Sequence, residues 1–351
     1  MIAEAMDLPT ILAWRRTCAI NYAHATAALK RTLTMLLNPF LSQPAALLGS
    51  ISRYGAVIGG EVALAFIRRH RPFQPQTLEI FVGASLYQLL CRELLSHPQI
   101  VPDIIDLAVT ILPHPHNLQR DILETTHIHL RAARTLRIHR SSTLSPISPI
   151  TRSICTAMVN FITPHCFGCA YPRLTLDDKA LLSDLSHDIM SDFDASTMRV
   201  LAEQGIDVAV DPATWKPYRM WSPNPTLPNS TTACWRSHYI CPEQGRFFGD
   251  HGSLIDFIDP LGTSMSALQG QGLPPFGTAV VWRLASSYRC PSSCEAHDST
   301  LPVGQTSIAI ILIGDPFIDS HRGRQRRPRI RRELRRVVYS AEGRNARSIS
   351  L

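Results

Sequence analysis

The sequence has no apolar run long enough to cross a membrane. Residues 45–67 come nearest, but polar residues and glycines interrupt them, whereas a membrane-spanning helix needs roughly 18 or more consecutive apolar residues. The N-terminus also lacks the basic, apolar and small-residue order of a secretory signal, since the acidic Glu4 and Asp7 come first. We therefore expect no membrane partner and an intracellular location, cytoplasmic or nuclear. There the nine cysteines would be thiols or metal ligands rather than disulfides.

A broad basic surface is also missing, although the net charge is +7. Residues 321–351 contain eleven Arg and two Glu, a net charge of +9, which leaves about −2 on the other 320 residues. The body is therefore close to neutral, which argues against a wide nucleic-acid-binding face on it. With 45% hydrophobic and 18% charged residues over 351 positions, the composition is typical of a globular protein of one or two domains.

Hydrophobic periodicity predicts alternating helices and strands in the first half of the chain. The predicted helical segments are residues 8–38, 43–54, 61–69, 85–96, 101–112, 150–161 and 177–205. The predicted strands are residues 56–58, 76–83, 125–130, 135–140, 279–284 and 306–313, with a hairpin turn at Ala132-Ala133. This order favours a mixed α/β (α+β) fold, a mixed sheet flanked by helices.

Three portions of the chain differ in composition. Residues 1–205 carry most of the regular pattern, and residues 206–320 form an irregular, β-containing portion rich in Cys and Pro that we expect to pack on it. Residues 321–351 form an Arg-rich tail that we expect to be disordered.

Residues 55–82, GAVIGGEVALAFIRRHRPFQPQTLEIFV, resemble the opening motif of the nucleotidyltransferase superfamily. In that motif a glycine turn opens a helix, and a later strand carries Asp-x-Asp. The chain resembles in particular the expanded, uncharacterised families of mushroom-forming fungi. The later segments that carry this resemblance are residues 141–176, 241–262 and 279–284.

The resemblance implies a nucleotide site at the turn and on the strand that follows. Amides at the turn and at the helix N-terminus would hold phosphates, and paired carboxylates would hold divalent metal ions. The corresponding residues of this chain are Gly59, Gly60, Glu61, Thr77 and Glu79. A third carboxylate would fall on the second hairpin strand, where this chain has Arg137.

These departures predict loss of catalysis, because only Glu79 is acidic at the three metal-ligand positions. The first hypothesis is therefore a catalytically inactive binding or interaction protein that retains a vestigial nucleotide pocket. The second is an active, Mg²⁺-dependent nucleotidyltransferase that uses other acids.

A third interpretation assigns these residues no ligand at all. Gly59-Gly60 would then be a turn that needs positive φ. Glu61 would be a first-turn acid favoured by the helix dipole, and Glu79 a solvent-facing strand residue.

The cysteines allow two interpretations. Spacing permits a structural zinc site that would hold the irregular portion together, with the ligands Cys234, Cys241, Cys290 and Cys294. The alternative is ordinary buried or free thiols. Cys166 and Cys169 form a CxxC, but the apolar context CFGCAYP favours a strand entering the core.

Two polar groups outside the motif also allow a structural or a ligand-binding interpretation. His127, His129 and His139 lie on the predicted hairpin, where half-exposed histidines are commoner than metal ligands. The segment 245–262 holds four charged residues that suggest a polar loop: Arg246, Asp250, Asp256 and Asp259. For Asp256 and Asp259 we favour turn capping over ligand binding.

The tail suggests a nucleic-acid partner. Residues 322–336 concentrate nine Arg, a pattern typical of nuclear-import signals and nucleic-acid-binding arms. The alternative is a solvated tail without a partner.

Overall fold

The computed structural model describes residues 2–71, 73–97, 104–111, 121–183, 192–219, 235–242, 244–258, 278–284 and 306–310. The helices are α1 (Ile2–Ala5), α2 (Leu8–Arg15), α3 (Ala19–Leu37), α4 (Pro44–Arg53), α5 (Gly60–Ile67), α6 (Tyr87–Ser96), α7 (Ile147–Thr151), α8 (Pro172–Leu176) and α9 (Asp192–Glu203). Short 3₁₀ turns span Thr156–Met158, Pro212–Thr214, Lys216–Tyr218 and Trp235–His238.

The strands of the described residues form three sheets. They are β1 (Val57–Gly59), β2 (Thr77–Val82), β3 (Ile104–Ile111), β4 (Ile122–Leu130), β5 (Arg134–Ser141), β6 (Asn160–Ile162), β7 (Cys166–Cys169), β8 (Lys179–Leu181), β9 (Asp207–Ala209), β10 (Arg246–Phe247), β11 (Leu254–Phe257), β12 (Thr278–Trp282) and β13 (Thr306–Ile310). The largest sheet has the order β11-β7-β6-β1-β2-β5-β4-β3, and the others are β10-β12-β13 and β8-β9. In the largest sheet only β2 and β5 pair in parallel. The prediction of a mixed sheet flanked by helices is confirmed.

The largest sheet separates two apolar clusters. Because side chains alternate along a strand, β2 directs Leu78, Ile80 and Val82 to the cluster formed with helices α3, α5 and α6. Phe81 belongs to the second cluster, which includes Trp282. Strand β11, from the portion 206–320, extends the same sheet by pairing with β7.

The helix predicted over residues 101–112 is wrong. In the described part of that range, the chain forms strand β3, which pairs antiparallel with β4. Ile, Val and Thr are branched at Cβ, which disfavours helix and favours strand. A short apolar run of this kind does not distinguish helix from strand by periodicity alone.

The single helix predicted over residues 8–38 is also wrong, because the chain breaks at residues 16–18. Cys18 is extended, with φ −161° and ψ 168°, and precedes α3. The Thr17 hydroxyl donates to the Trp14 carbonyl at 2.7 Å, an alternative to helix continuation.

The helix predicted near residues 150–161 is largely replaced by other structure. Helix α7 ends at Thr151, and the strand β6 takes up Asn160–Ile162, where it pairs with β1 and β7. Pairing within the sheet overrides the local preference.

Candidate functional site

The turn between β1 and α5 has room only for glycine. Gly60 has φ +60°, a conformation that other residues rarely adopt, as the turn interpretation expects. A Cβ atom at Gly60 would lie 1.9 Å from Glu79 Oε2, and one at Gly59 would lie 2.6 Å from the Phe81 ring. The space beside the Cα atoms of Gly59 and Gly60 is therefore occupied by β2 side chains.

The parallel register of β2 and β5 places Arg137 directly beside Glu79. Glu79 of β2 pairs with Arg137 of β5. Two residues earlier on each strand, Thr77 pairs with Thr135. The structure thus brings together the three positions that the resemblance assigns to metal ligands. Their side chains are one carboxylate, one hydroxyl and one guanidinium.

Glu79, Arg137 and His139 form a buried group that we call the charge cluster. Glu79 is 5% exposed, so the interpretation of it as a solvent-facing residue is wrong. Its Oε1 atom lies 3.6 Å from Arg137 Nη1 and 3.6 Å from His139 Nε2. Both separations are longer than a hydrogen bond. Burial acts to raise the pKa of Glu79, but His139 and Arg137 outweigh it and hold the pKa below its ordinary value.

His139 is fixed within the charge cluster by two further contacts. Its Nδ1 atom lies 2.9 Å from the Thr125 hydroxyl oxygen, and its ring stacks on Phe81 with centroids 4.6 Å apart. Glu79 Oε1 and His139 Nε2 are both buried and have no hydrogen-bond partner among the described residues. The two atoms therefore depend on each other and on Arg137 for electrostatic compensation.

Glu61, in the first turn of α5, is buried and has a structural role. Its Oε2 atom accepts hydrogen bonds from the backbone amides of Gln76 at 2.7 Å and Thr77 at 3.3 Å. Burial raises the pKa of Glu61, the two amides oppose that shift, and nearby Glu79 adds to it. Glu61 therefore holds the start of β2 and is not directed to a ligand.

The three histidines lie on one face of the β4–β5 hairpin. His127 pairs with Arg137 and is half-buried, whereas His129 is exposed. Burial, with a further contribution from Arg137, lowers the pKa of His127 to about 4, so it is neutral at pH 7. Within the described residues, no group of three or more His, Cys, Asp or Glu side chains is placed to hold a metal ion.

Of the four cysteines predicted as zinc ligands, only Cys241 lies in the described residues. It is buried in the second apolar cluster. Cys234, Cys290 and Cys294 lie outside the described residues, so the zinc site stays a prediction. Residues 321–351 also lie outside them.

The CxxC segment forms strand β7, as its apolar context predicts. Both thiols are buried, and burial raises the pKa of Cys166 to about 11 and of Cys169 to about 12. Neither thiol is ionised at neutral pH, which makes both unreactive.

A fully buried arginine was not foreseen from the sequence. Arg246 forms an ion pair with Asp250, donates to the Ala170 carbonyl at 2.7 Å and to the Tyr239 carbonyl, and lies over the Tyr171 ring. The spacing of four residues between Arg246 and Asp250 was the available signal. The proximity of the Ala170 carbonyl, 76 residues away in the sequence, had no such signal.

The acids of the same segment also have structural partners. Asp250 Oδ1 accepts from the Gly252 amide at 2.9 Å. Asp256 lies in strand β11, so the turn-capping role predicted for it is wrong. Its Oδ1 atom lies 3.7 Å from Arg15 Nη1, and its Oδ2 atom lies 3.6 Å from Arg16 Nη2. Asp259 lies outside the described residues.

Comparisons of this chain with protein-family models, curated proteins and solved structures gave no match. Among the described helices, none is long and apolar enough to cross a membrane.

Proposed function

We propose that this chain is a catalytically inactive, nucleotidyltransferase-like protein that acts by binding partners. The charge cluster carries the proposal. The only acid among the three positions assigned to metal ligands, Glu79, is buried and faces a guanidinium 3.6 Å away. The positive charge that faces Glu79 is therefore supplied by the side chain of Arg137.

Two-metal catalysis requires several carboxylates around the ions. A divalent ion near Glu79 would meet the positive charge of Arg137, and the neighbouring acid Glu61 accepts hydrogen bonds from backbone amides. The contact of Glu79 with Arg137 and the amide contacts of Glu61 both support a site that binds no metal ion.

The glycine turn is also unfavourable for a phosphate. The Glu79 carboxylate lies against Gly60, so an anion there would meet like charge. Phe81 and Ile150 fill the space in which a Cβ atom of Gly59 would lie, so the surroundings of Gly59 are apolar. We therefore assign the binding role to another surface of the protein.

Calorimetric titration of the full chain with ATP and the other nucleoside triphosphates, with and without Mg²⁺ or Mn²⁺, tests the proposal. We expect no heat that depends on the cation. Cation-dependent binding in the wild type that disappears in Glu79→Gln would contradict it. Nucleotide binding without a cation requirement would mean that the inactive protein still binds nucleotide. It would contradict only the assignment of the binding role to another surface.

The Arg-rich tail supports a second candidate function, association with nucleic acid. Nine Arg in residues 322–336 would make phosphate contacts whose affinity falls steeply with salt. Deletion of residues 321–351 should abolish binding to a mixed-sequence duplex. Unchanged binding after the deletion would refute this role.

A further inference from the structure

Strand β3 forms one edge of the eight-stranded sheet. It spans Ile104–Ile111 and pairs with β4 on one side. No described strand pairs with its other side. An edge strand of this length presents a row of backbone donors and acceptors that fit another strand.

The exposed side chains of β3 on one face are apolar. Ile104, Leu107 and Val109 are 41%, 44% and 53% exposed. They share the face of the β4 residues Leu130, Ile128 and Thr126, with which they pair. Ile128 and Leu130 belong to the apolar cluster formed with helices α3, α5 and α6. The exposed side chains of β3 therefore lie next to that cluster, at the edge of the sheet.

The opposite edge of the sheet is protected. Strand β11 ends at Phe257, and the buried Arg15 guanidinium donates to the carbonyls of Phe257 and Ile258. Charged side chains at a sheet edge oppose strand addition. Strand β3 carries one exposed charge, Asp106, and an irregular register between Ile104 and Asp106, both towards its N-terminal end. Residues 107–111 carry no charged side chain, so this part of β3 can accept another strand.

We propose that β3 is a self-association surface, on which a second copy of this chain adds its own β3 in antiparallel register. The strand is complementary to itself about Ala108. A two-fold axis at that residue pairs Leu107 with Val109 and Asp106 with Thr110. Each pair stays on one face of the joined sheet, and no acid opposes another acid. The irregular register between Ile104 and Asp106 favours this axis over one nearer the N-terminal end of the strand.

Sedimentation of the full chain over the micromolar range tests the surface. We expect a reversible dimer for the wild type. Val109→Lys should weaken it by about tenfold or more, because it buries an unpaired ammonium. The matched control Thr110→Lys changes the next residue, which faces Asp106 of the second copy, and should preserve the dimer. A monomeric wild type, or equal behaviour of the two variants, would overturn the proposal.

A cross-link tests the register independently of variant stability. In Ala108→Cys the two introduced thiols face each other at the axis, so a short bis-maleimide should give a covalent dimer. Its yield should exceed that of the wild type, which measures cross-linking through the native cysteines. In Asp106→Cys the two thiols lie apart and should give less. Equal yields from the two variants would contradict the register, and circular dichroism confirms that each is folded.

Discussion

Replacing Glu79 by Gln removes one charge from the charge cluster while keeping the side-chain volume beside Gly60. At 3.6 Å and an effective dielectric constant of about 20, the attraction between Glu79 and Arg137 is roughly 4–5 kcal/mol. Desolvation of the buried carboxylate offsets much of this attraction in the wild type. The variant, however, leaves a largely buried guanidinium without its acid. Since removal of one partner from a buried pair costs about 3–5 kcal/mol and Arg137 is 19% exposed, we expect a loss of about 3 kcal/mol.

Urea unfolding of the full chain measures this loss, with Glu203→Gln as the control. Glu203 Oε1 lies 3.9 Å from Arg199 Nε, and the two side chains are 63% and 73% exposed. We expect a loss below about 0.5 kcal/mol there, because exposed ion pairs contribute little. A loss below about 1 kcal/mol for Glu79→Gln, or a larger loss for Glu203→Gln, would refute the view that burial makes the Glu79 contacts important.

The stability difference between the wild type and Glu79→Gln should depend on pH. The folded pKa of Glu79 is below its ordinary value of 4.5, so the ionised carboxylate stabilises the protein above that pH. This stabilisation is lost as the pH falls below 4.5 and through the folded pKa. The difference in unfolding free energy between wild type and Glu79→Gln should therefore shrink in acid. A constant difference from pH 7 to pH 3 would contradict the assignment.

Four further variants test Glu61, the glycine turn and the hairpin turn by urea unfolding. Because burial raises the pKa of Glu61, its ionised form costs stability at neutral pH, so Glu61→Gln should be at least as stable as wild type; Glu61→Ala removes an acceptor from two amides and should lose about 2 kcal/mol. Gly60→Ala should lose more than about 2 kcal/mol, since it adds left-handed strain and a steric clash; a neutral effect would disprove the tight turn. The pair Ala132→Asn and Ala133→Gly should gain about 1 kcal/mol, because both alanines have φ near +60°, and any loss would count against this turn geometry.

Local patterns were sufficient to predict much of the region around the glycine turn. The sequence signals for α4, β1, α5, β2 and the β4–β5 hairpin all correspond to elements of the structure. The adjacency of Glu79 and Arg137 was implied by the resemblance, which assigns both positions to metal ligands.

What could not be predicted depends on contacts distant in sequence. The buried charge of Glu79 is compensated by Arg137 and His139, which lie on another strand. The buried charge of Arg246 is compensated in part by the Ala170 carbonyl, from another segment. Strand β3 was mistaken for helix, although its branched residues carried the correct signal. Neighbouring strands, rather than local propensity, determine such segments.

Electron paramagnetic resonance of Mn²⁺ titrated into the full chain tests the central claim most directly, because free Mn²⁺ gives a signal that is lost on binding. If the charge cluster replaces the metal, the wild type and Glu79→Gln should leave the same fraction of Mn²⁺ free. Stoichiometric Mn²⁺ binding by the wild type that Glu79→Gln abolishes would show that Glu79 is a metal ligand despite Arg137, and would contradict the account.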